Sequence, residues 1–372
     1  MKAIVIDHYA HPSKQPVTNQ ASEPKPAADE VLVEVHSACA IVHPSTSERS
    51  LIHMSLHSAL NFFDILQAQG KYQNQPPFPF VLGAEFAGTI ATSSPIPKGC
   101  PFKRGDRVFG SGQGAYAERV AAKWQNLHPI PNGFSFEQAA GLFVTWPTRC
   151  VIIGDSSQHF SSRLSYEALV GRAQLQPGEW CLVHAAAGGV GLAAVQIAKA
   201  LGAKVIATAG TQDKLKVCKT FGGADEVLDY TKSGWQKEVL KLTNGKGVDV
   251  IYDPVGLIKD SLKCIAWKGR ALVVGFAAGE IEKLPLNLVL LKNISIVGVH
   301  WGAYMKNDIG HVPSVWKALF QLFESGKVKP VVFSEVYQGL EQVSVGLEAL
   351  EQRKTWGKAI VQIKPGPKIA KL

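Results

Sequence analysis

The sequence predicts an α/β fold in which a doubly wound parallel sheet is joined to a second, β-rich domain. Three observations support this prediction. Apolar strand-like runs alternate with helical stretches through the second half of the chain, and a glycine turn follows the first of these strands. The first 140 residues carry only short strand-like runs between turn signals. A chain of 372 residues is long enough for both domains.

The bulk composition is that of an ordinary globular protein. The chain is 46% hydrophobic and 19% charged, and no apolar run approaches the roughly 18–20 residues that a membrane span needs. Its six cysteines are scattered without a CxxC motif, which indicates reduced thiols. Met1 leads directly into a strand-like MKAIVI without a presequence pattern. We therefore expect a cytoplasmic protein and leave a mitochondrial location open.

The formal net charge of +9 suits nucleic acid, an acidic membrane or an anionic cofactor. Lys and Arg residues are spread along the chain rather than clustered, apart from the tail KPGPKIAKL. A solvated basic surface is therefore the simplest interpretation. No stacking platform or RNA motif accompanies the charge, so we do not expect nucleic acid as a partner.

The glycine turn has the spacing of a dinucleotide-binding motif. A short apolar strand is predicted at 181–185 and an apolar-periodic helix follows the turn, with the G-x-G-x-x-G pattern starting at Ala186 in place of glycine. Such glycines let the backbone approach a pyrophosphate, and a helix N-terminus offers N–H groups to it. A strand at 204–208 completes a βαβ unit; the alternative is a glycine turn that only packs helix on sheet. The predicted cofactor contacts here are Ala187, Gly188, Gly189, Val190 and Gly191.

The end of the second strand favours NADPH over NADH. An NAD site usually places a carboxylate there to bind the ribose 2′-hydroxyl. This chain has Thr208-Ala-Gly-Thr, with no carboxylate before Asp213, and Lys214 follows. A small neutral turn followed by a lysine suits a 2′-phosphate, because repulsion is absent and a cation is close. The alternative is that Lys214 is only a solvated helix residue.

The remaining pattern extends the parallel sheet over about residues 166–301. In the first domain strand-like runs occur at 29–38 and 86–91, and the segment 327–363 ends on a strand that could return to that domain. Within the sheet, further strands are predicted at 226–228, 248–253, 271–275 and 293–298.

Six pieces of the sequence together resemble the zinc-free quinone oxidoreductases, the relatives of zeta-crystallin, in the medium-chain dehydrogenase/reductase superfamily. The similarity covers nearly the whole chain. The pieces are 60-LNFFDILQAQGKY-72, 82-LGAEFAG-88, 104-RGDRV-108, 185-AAAGGVGLAAVQIAKALGA-203, 206-IATAGT-211 and 353-RKTWGKAIV-361.

This resemblance implies a GroES-like catalytic domain at 1–165, a Rossmann NADPH-binding domain at 166–301 and a return to the catalytic domain at 302–372. It implies an active site in the cleft between the domains and a homodimer formed by an edge strand, to which 284–299 would contribute unless it is a core strand. By position, Gly210, Lys214, Tyr230 and Arg353 match the family's residues around the 2′-phosphate, and Asn61 and Thr148 match those near the nicotinamide and substrate.

Zinc does not fit the residues that the resemblance aligns with metal ligands. Zinc-dependent relatives have a histidine where this chain has Ala84 and a cysteine near Asn61, and their structural-zinc lobe keeps only Cys100 here. A histidine cluster at 43, 53 and 57 is interpreted as solvated polarity. We therefore predict no metal, and hydride delivery to an acceptor that is already electrophilic, a quinone or an α,β-unsaturated carbonyl.

The proton donor of the reaction is not evident. Some relatives have a tyrosine where this chain has Leu66, and Tyr72 is the nearest substitute. The alternative is that Tyr72 is a packed aromatic residue ahead of a Pro-rich turn. With Asn61 and Thr148, Tyr72 completes the predicted catalytic set.

Two segments, about 39–58 and 149–164, interrupt the match to the family. Without them the chain would have 336 residues, a normal length for the family. Their position beside Asn61 and Thr148 is unusual for insertions, which settle at exposed loop tips. We favour retained-intron or splice products over functional lids. The alternatives to a quinone or enone reductase are a non-catalytic NADPH-binding protein or crippled isoform, with possible RNA binding, and an enoyl-thioester reductase.

Overall fold

The computed structural model describes residues 1–35, 57–72, 75–146, 165–277, 281–299 and 307–363. Thr148 and most of the two predicted insertions lie outside these residues. The chain divides into two units. One holds the residues up to Phe143 and those from Val332 onward, and the other holds the residues from Val144 to Val331. These bounds differ from the predicted domain boundaries at 165 and 301, because residues 144–146 and 307–331 group with the second unit.

Seventeen strands are described, and they are numbered in chain order. They are β1 Ala3–Ile6, β2 Val17–Thr18, β3 Glu30–Glu34, β4 His57–Ala59, β5 Phe80–Val81, β6 Glu85–Ile90, β7 Arg107–Ser111, β8 Arg119–Lys123, β9 Leu127–Pro129, β10 Trp180–Val183, β11 Lys204–Ala209, β12 Glu226–Asp229, β13 Val248–Asp253, β14 Ile265–Val273, β15 Ser295–Gly298, β16 Tyr337–Gln338 and β17 Ile360–Gln362.

The described helices are mostly short. The α-helices are α1 Phe62–Ala68, α2 Phe136–Ala140, α3 Leu142–Thr145, α4 Gly189–Ala200, α5 Gln212–Thr220, α6 Trp235–Leu242, α7 Ile258–Ser261, α8 Leu286–Leu291, α9 Val312–Glu324 and α10 Val343–Glu351; a π-helix spans Glu167–Arg172 and 3₁₀ turns span Pro12–Lys14, Trp124–Asn126, Leu262–Cys264, Ile309–His311 and Leu340–Gln342. None of them is long and apolar enough to cross a membrane.

The first unit is a β structure in which both ends of the chain meet. Its main sheet has the order β16-β17-β4-β6-β3-β8, with β7 paired to β6 and β9, and a smaller sheet has the order β2-β1-β5. β17 pairs antiparallel with β4, so that Ile360 lies opposite Ala59. The predicted return of the C-terminal strand to this unit is therefore confirmed. That pairing brings the residues just before β17 next to the start of α1.

One end of the first predicted insertion is wrong. His57 and Ser58 were assigned to it, yet both lie in β4, where they pair with Ala87 and Phe86 of β6. Their side chains are fully buried. A sequence of three residues is too short to reveal a strand by its own alternation, so the pairing partners decide it.

The second unit is built on six parallel strands in the order β12-β11-β10-β13-β14-β15. This is the order of a doubly wound dinucleotide-binding sheet, and it confirms the predicted fold class. β14 begins at Ile265, six residues before the predicted start, because its pairing with β13 begins there and continues through an irregularity between Val248 and Val250. The predicted strand at 293–298 is confirmed at Ser295–Gly298.

Candidate active site

The glycine turn lies where β10 ends and α4 begins. The strand stops at Val183 rather than at residue 185, and Ala185 adopts a left-handed conformation with φ of +45°. The Ala186 N–H donates to the Thr208 carbonyl oxygen of β11 at 2.9 Å, and the Gly188 N–H donates to the Ala185 carbonyl oxygen at 3.0 Å. The turn is thus closed by its own backbone before the helix starts.

Two glycines of the turn serve different purposes. A Cβ on Gly191 would lie 2.5 Å from the Ala185 carbonyl oxygen and 2.6 Å from the Ala186 Cα, so glycine is required there for helix and strand end to approach. A Cβ on Gly188 would meet only the Ala185 oxygen, at an ordinary 3.4 Å, and the φ of Gly188 is −74°. Neither packing nor backbone conformation explains glycine at 188, whereas the close approach of a ligand does.

The N-terminus of α4 is open to an anion. Gly188 is the N-cap residue, and no described side chain caps the helix. The N–H groups of the first turn, at Gly189, Val190 and Gly191, have no intrahelical acceptors by the geometry of an α-helix. A helix of 12 residues that begins at such a turn fits a dinucleotide pyrophosphate. These residues therefore fit the cofactor that the sequence predicts.

A buried histidine, His184, forms hydrogen bonds directly before the glycine turn. His184 Nδ1 lies 2.9 Å from Thr208 Oγ1, and His184 Nε2 lies 2.7 Å from Ser261 Oγ. The Ser261 hydroxyl donates to the Leu257 carbonyl oxygen, so it accepts from an Nε2–H. Nδ1 is then an acceptor beside the Thr208 hydroxyl, whose proton is shared with the Val183 carbonyl oxygen at 3.4 Å. Burial lowers the pKa of His184 to about 4, against the opposite effect of Asp253. A neutral imidazole with one proton therefore links β11, α7 and the strand that enters the turn.

The end of β11 lacks an available carboxylate among the described residues. A Cβ on Gly210 would lie 3.3 Å from Thr231 Cγ2 and 3.7 Å from the Tyr230 hydroxyl oxygen, so the structure brings Gly210 and Tyr230 together. The side chain of Asp213 is 91% exposed and pairs with Lys216. Thr211 caps α5 by accepting from the Lys214 N–H at 3.3 Å, which fixes the half-buried Lys214 in the first turn of that helix.

The carboxylate on the neighbouring strand is already engaged. Asp229, at the end of β12, accepts from the Thr231 N–H at 3.0 Å and from the Thr231 hydroxyl at 2.6 Å. These two bonds lower the pKa of Asp229. Arg353, the fourth residue predicted for the 2′-phosphate, belongs to the first unit, where it follows α10 with φ of +56°.

In the first unit, Asn61 lies within a buried polar cluster. The Asn61 amide nitrogen donates to Glu85 Oε1 at 3.0 Å, and Lys358 Nζ donates to Asn61 Oδ1 at 2.6 Å. Lys358 also forms an ion pair with Glu85 Oε1. Glu85 is fully buried and Lys358 is only 7% exposed. Glu85 and Lys358 were not predicted as site residues. Each is a charged residue within an apolar stretch, LGAEFAG and TWGKAIV, and that pattern could have indicated a buried charged pair.

A second buried pair lies beneath the first turn of α1. Asp64 Oδ2 accepts from the Asn61 N–H at 3.0 Å and from the Tyr116 hydroxyl at 2.5 Å. Burial raises the pKa of Asp64 to about 7, while these two donors and Lys358 act in the opposite direction. Burial and Asp64 raise the pKa of Tyr116 well above its usual value. Asp64 Oδ1 has no hydrogen-bond partner among the described residues.

The donor set at this position does not fit zinc. Asn61 Oδ1 and Glu85 Oε1 both contact the Lys358 ammonium, whose positive charge at this place opposes a bound cation. Ala84, at the position of the relatives' histidine, contributes no ligand. Across the described residues, no group of three His, Cys, Asp or Glu side chains could hold a metal ion.

The interpretation of His57 as a solvated residue is wrong. Its imidazole is fully buried, with Nε2 3.3 Å from Glu137 Oε1. The two groups are within ion-pair distance but are not aligned as a hydrogen bond. Burial lowers the pKa of His57 to about 4, and Glu137 opposes this effect. His43 and His53 lie outside the described residues.

The Tyr72 ring packs against Phe63, with ring centroids 5.7 Å apart. Its carbonyl oxygen accepts from the Gln75 amide at 2.7 Å. This placement is that of a packed aromatic residue ahead of the Pro-rich turn, and a role for its hydroxyl as proton donor stays a prediction. Thr148 lies outside the described residues.

Comparison with known proteins identifies the family of each part of the chain. A family model described as alcohol dehydrogenase GroES-like domain matches residues 47–132, and one described as zinc-binding dehydrogenase matches residues 189–325. A quinone oxidoreductase-like protein 2 homolog of Nematostella vectensis is 38% identical over 85% of this chain and 82% of its own length. The quinone oxidoreductase of Homo sapiens is 30% identical over 90% of each chain.

A solved structure of a similar protein contains a dinucleotide. The crystal structure of Escherichia coli quinone oxidoreductase complexed with NADPH has a TM-score of 0.78 and 28% identity, and the alignment covers 97% of this chain and 100% of that one. The first unit is thus GroES-like and the second unit Rossmann-like, as the sequence predicts.

Proposed function

The chain belongs to the zeta-crystallin-like, quinone oxidoreductase branch of the medium-chain dehydrogenase/reductase superfamily, and from that premise we propose that it is an NADPH-dependent reductase of quinones or α,β-unsaturated carbonyls. The superfamily consists of oxidoreductases with NAD(P)H-type cofactors. The similar proteins named quinone oxidoreductase support the acceptor class, and the NADPH in the similar E. coli structure supports the cofactor.

The residues at the end of β11 are the main support for NADPH over NADH as the cofactor. Gly210 lies beside the Tyr230 hydroxyl, and no described carboxylate is available for a ribose diol, because Asp213 is exposed to solvent and Asp229 is held by Thr231. A 2′-phosphate would meet the Tyr230 hydroxyl and the Lys214 ammonium there, and charge-assisted hydrogen bonds of this kind are the strong ones.

The chain's own residues bind and orient the cofactor and the acceptor, and NADPH, when bound, supplies the hydride. The first turn of α4 would hold the pyrophosphate, with Gly188 leaving space for its approach. The side chains of Asn61, Glu85 and Lys358 hold one another in a buried polar cluster in the GroES-like unit. Asn61, Thr148 and Tyr72 stay proposed as residues near the reacting groups, with Tyr72 as the proposed donor in the final proton transfer.

The first experiment is a rate of NADPH oxidation with 1,4-benzoquinone and 9,10-phenanthrenequinone as acceptors. NADH and an enoyl-CoA run in parallel. Turnover of quinones with a preference for NADPH is the expected result. Faster turnover of the enoyl-CoA would transfer the assignment to enoyl-thioester reduction. NADPH binding without turnover of any acceptor would make the chain a non-catalytic binding protein.

The insertions require their own variants. Because His57 and Ser58 belong to β4, we compare a deletion of 36–56, which keeps both residues, with a deletion of 39–58, each combined with a deletion of 149–164. Activity of a deletion variant in the absence of full-length activity would support the splice-product hypothesis. Full-length activity would make the segments tolerated loops or lids.

We further propose a second copy of the chain as a partner of the Rossmann-like unit. β15 is the last strand in the sheet order, and it pairs only with β14 among the described residues. The helix just before it, α8, exposes Leu286 at 77% and Leu290 at 78%. An unpaired edge strand beside exposed leucines is a ready template for association.

A further inference from the structure

The parallel sheet places a carboxylate one strand away from the end of β11. Asp229, the last residue of β12, pairs in register with Ala209, the last residue of β11. Paired strands lie about 4.8 Å apart, so Asp229 stands beside the residue that directly precedes Gly210. In an NAD site the carboxylate that binds the ribose stands at the end of this second strand. A ribose bound at the end of β11 would therefore have Asp229 as a neighbour.

Two hydrogen bonds from Thr231 hold this carboxylate. Asp229 Oδ1 accepts from the Thr231 hydroxyl at 2.6 Å and from the Thr231 N–H at 3.0 Å. A carboxylate oxygen has about two acceptor positions, so Thr231 fills those of Oδ1. The hydroxyl bond, followed by the N–H bond, lowers the pKa of Asp229, so the group is ionised at neutral pH. The negative charge is thus engaged within its own turn, as is common for aspartate in turns.

The two branches of the Thr231 side chain contact different partners. Its hydroxyl donates its one proton to Asp229, whereas its methyl group, Cγ2, lies 3.3 Å from the position that a Cβ on Gly210 would take. Because both branches start from one stiff Cβ, fixing the hydroxyl also fixes the methyl group. Thr231 therefore touches both the turn after β11 and the carboxylate at the end of β12. It is exposed, so its substitution leaves the core unchanged.

We propose that Thr231 is a positioning residue for cofactor specificity, which keeps the Asp229 carboxylate engaged and thereby preserves the preference for a 2′-phosphorylated adenosine. This inference rests on the proposed function, because it takes the adenosine end of the cofactor to bind at the end of β11. A carboxylate released from Thr231 would accept a hydrogen bond from a free 2′-hydroxyl. It would also repel a 2′-phosphate, which carries about two negative charges. Both effects favour the cofactor without the phosphate.

The test compares NADPH with NADH, which differ only in the 2′-phosphate. Dissociation constants are measured for the full-length chain by nicotinamide fluorescence, without an acceptor and so without turnover. The decisive variant is Thr231→Val, which removes the hydroxyl and keeps the branched shape and the N–H. The ratio of the NADH to the NADPH dissociation constant is expected to fall about two- to fivefold, the size of an exposed charge interaction. A merely structural role of Thr231 would change both constants together.

Two further substitutions separate the hydroxyl from the charge. Thr231→Ser keeps the hydroxyl and loses the methyl group, so it should retain the wild-type ratio. Asp229→Asn keeps an acceptor oxygen and removes the charge. Thr231→Val added to Asp229→Asn is therefore expected to leave the ratio where Asp229→Asn alone sets it, because no carboxylate remains to be released. This double-mutant cycle measures the part of the Thr231 effect that passes through Asp229.

The wild-type ratio tests the proposed cofactor, and the change of that ratio among the variants tests the inference. A wild-type preference for NADPH that Thr231→Val leaves unchanged would overturn the inference alone. An equal fall in the presence and absence of the Asp229 charge would overturn it too. A wild-type preference for NADH would refute the proposed cofactor and this inference with it. A protein that binds NADPH selectively but reduces no quinone would fail the proposed function, and the variant ratios would still decide the inference.

Discussion

The Tyr116 hydroxyl donates a 2.5 Å hydrogen bond to Asp64 Oδ2 in the fully buried core of the GroES-like unit. The Asp64 carboxyl group and the Tyr116 hydroxyl are both buried away from water, next to the first turn of α1. The carboxyl group of Asp64 retains its proton to about pH 7, because burial opposes its ionisation.

Asp64 makes folding stability decrease as pH rises. Its pKa is about 7 in the folded chain against an ordinary 3.8, so the folded state binds the proton more tightly. The unfolded chain loses this proton near pH 4, and the folded chain only near pH 7. Between those values this residue lowers stability by up to about 4 kcal/mol. Asp64→Asn should remove that loss. Urea unfolding at pH 4.5, 5.5 and 7 checks it, with Asp213→Asn as control; parallel profiles for Asp64→Asn and wild type would contradict it.

His57 acts on stability in the opposite direction. Its pKa is lowered from 6.5 to about 4, so the unfolded chain binds a proton that the folded chain refuses between those values. Stability from this residue is therefore present above about pH 6.5 and is lost as pH falls toward 4. His57→Gln should flatten the dependence of the unfolding free energy on pH in this window. The same urea series measures it, and an unchanged slope would count against a buried neutral imidazole.

Gly188 and Gly191 form a matched pair of substitutions. Gly191→Ala should destabilise the protein by about 1–3 kcal/mol, because its Cβ would overlap the Ala185 carbonyl oxygen. Gly188→Ala should leave the melting temperature nearly unchanged and weaken NADPH binding at least tenfold, because the added methyl occupies the path of the pyrophosphate. Thermal melts and fluorescence titrations with NADPH separate the two effects. Unaltered NADPH affinity in Gly188→Ala would remove the main argument for a ligand at this turn.

Lys214 should control the choice between NADPH and NADH. Removing a charged partner of the 2′-phosphate costs about 1.5–3 kcal/mol, which is roughly 10- to 150-fold in affinity. Lys214→Ala should weaken NADPH binding by that factor and leave NADH binding unchanged. Lys216→Ala, two residues along α5 and 78% exposed, is the control. Equal losses for both cofactors would assign Lys214 to the structure of α5 instead.

The exposed leucines of α8 should control association. Leu290→Glu is expected to convert a dimer into monomers, because it introduces a charge into the proposed apolar contact. Val345→Glu places the same charge on α10, at a valine that is 48% exposed in the other unit, and should leave the oligomeric state alone. Light scattering after gel filtration reads out both variants. A monomeric wild-type protein, or a dimer that survives Leu290→Glu, would exclude this surface.

Local sequence was sufficient for the Rossmann-like unit. The strand before the glycine turn, the helix after it and the strand that follows are neighbours along the chain, so their alternation and turn residues determine them. The bounds shifted by only a few residues there. The larger error was at β14, whose first six residues were not predicted as strand, although its pairing with β13 begins at Ile265.

The contacts of the GroES-like unit could not be predicted in the same way, because they depend on strand pairings between distant parts of the sequence. Lys358 and Asn61 are 297 residues apart, and only the pairing of β17 with β4 makes them neighbours. The same pairing identified His57 and Ser58 as strand residues and buried a histidine that had been interpreted as solvated.

The sequence by itself determined the fold class, the dinucleotide turn and the absence of a carboxylate after β11, because each is written in residues a few positions apart. Only the tertiary structure decided that an ammonium and a carboxylate lock the Asn61 amide, and that Asp64 and His57 are buried with shifted pKa values. Such properties depend on desolvation and on partners distant in the chain, which no local pattern records.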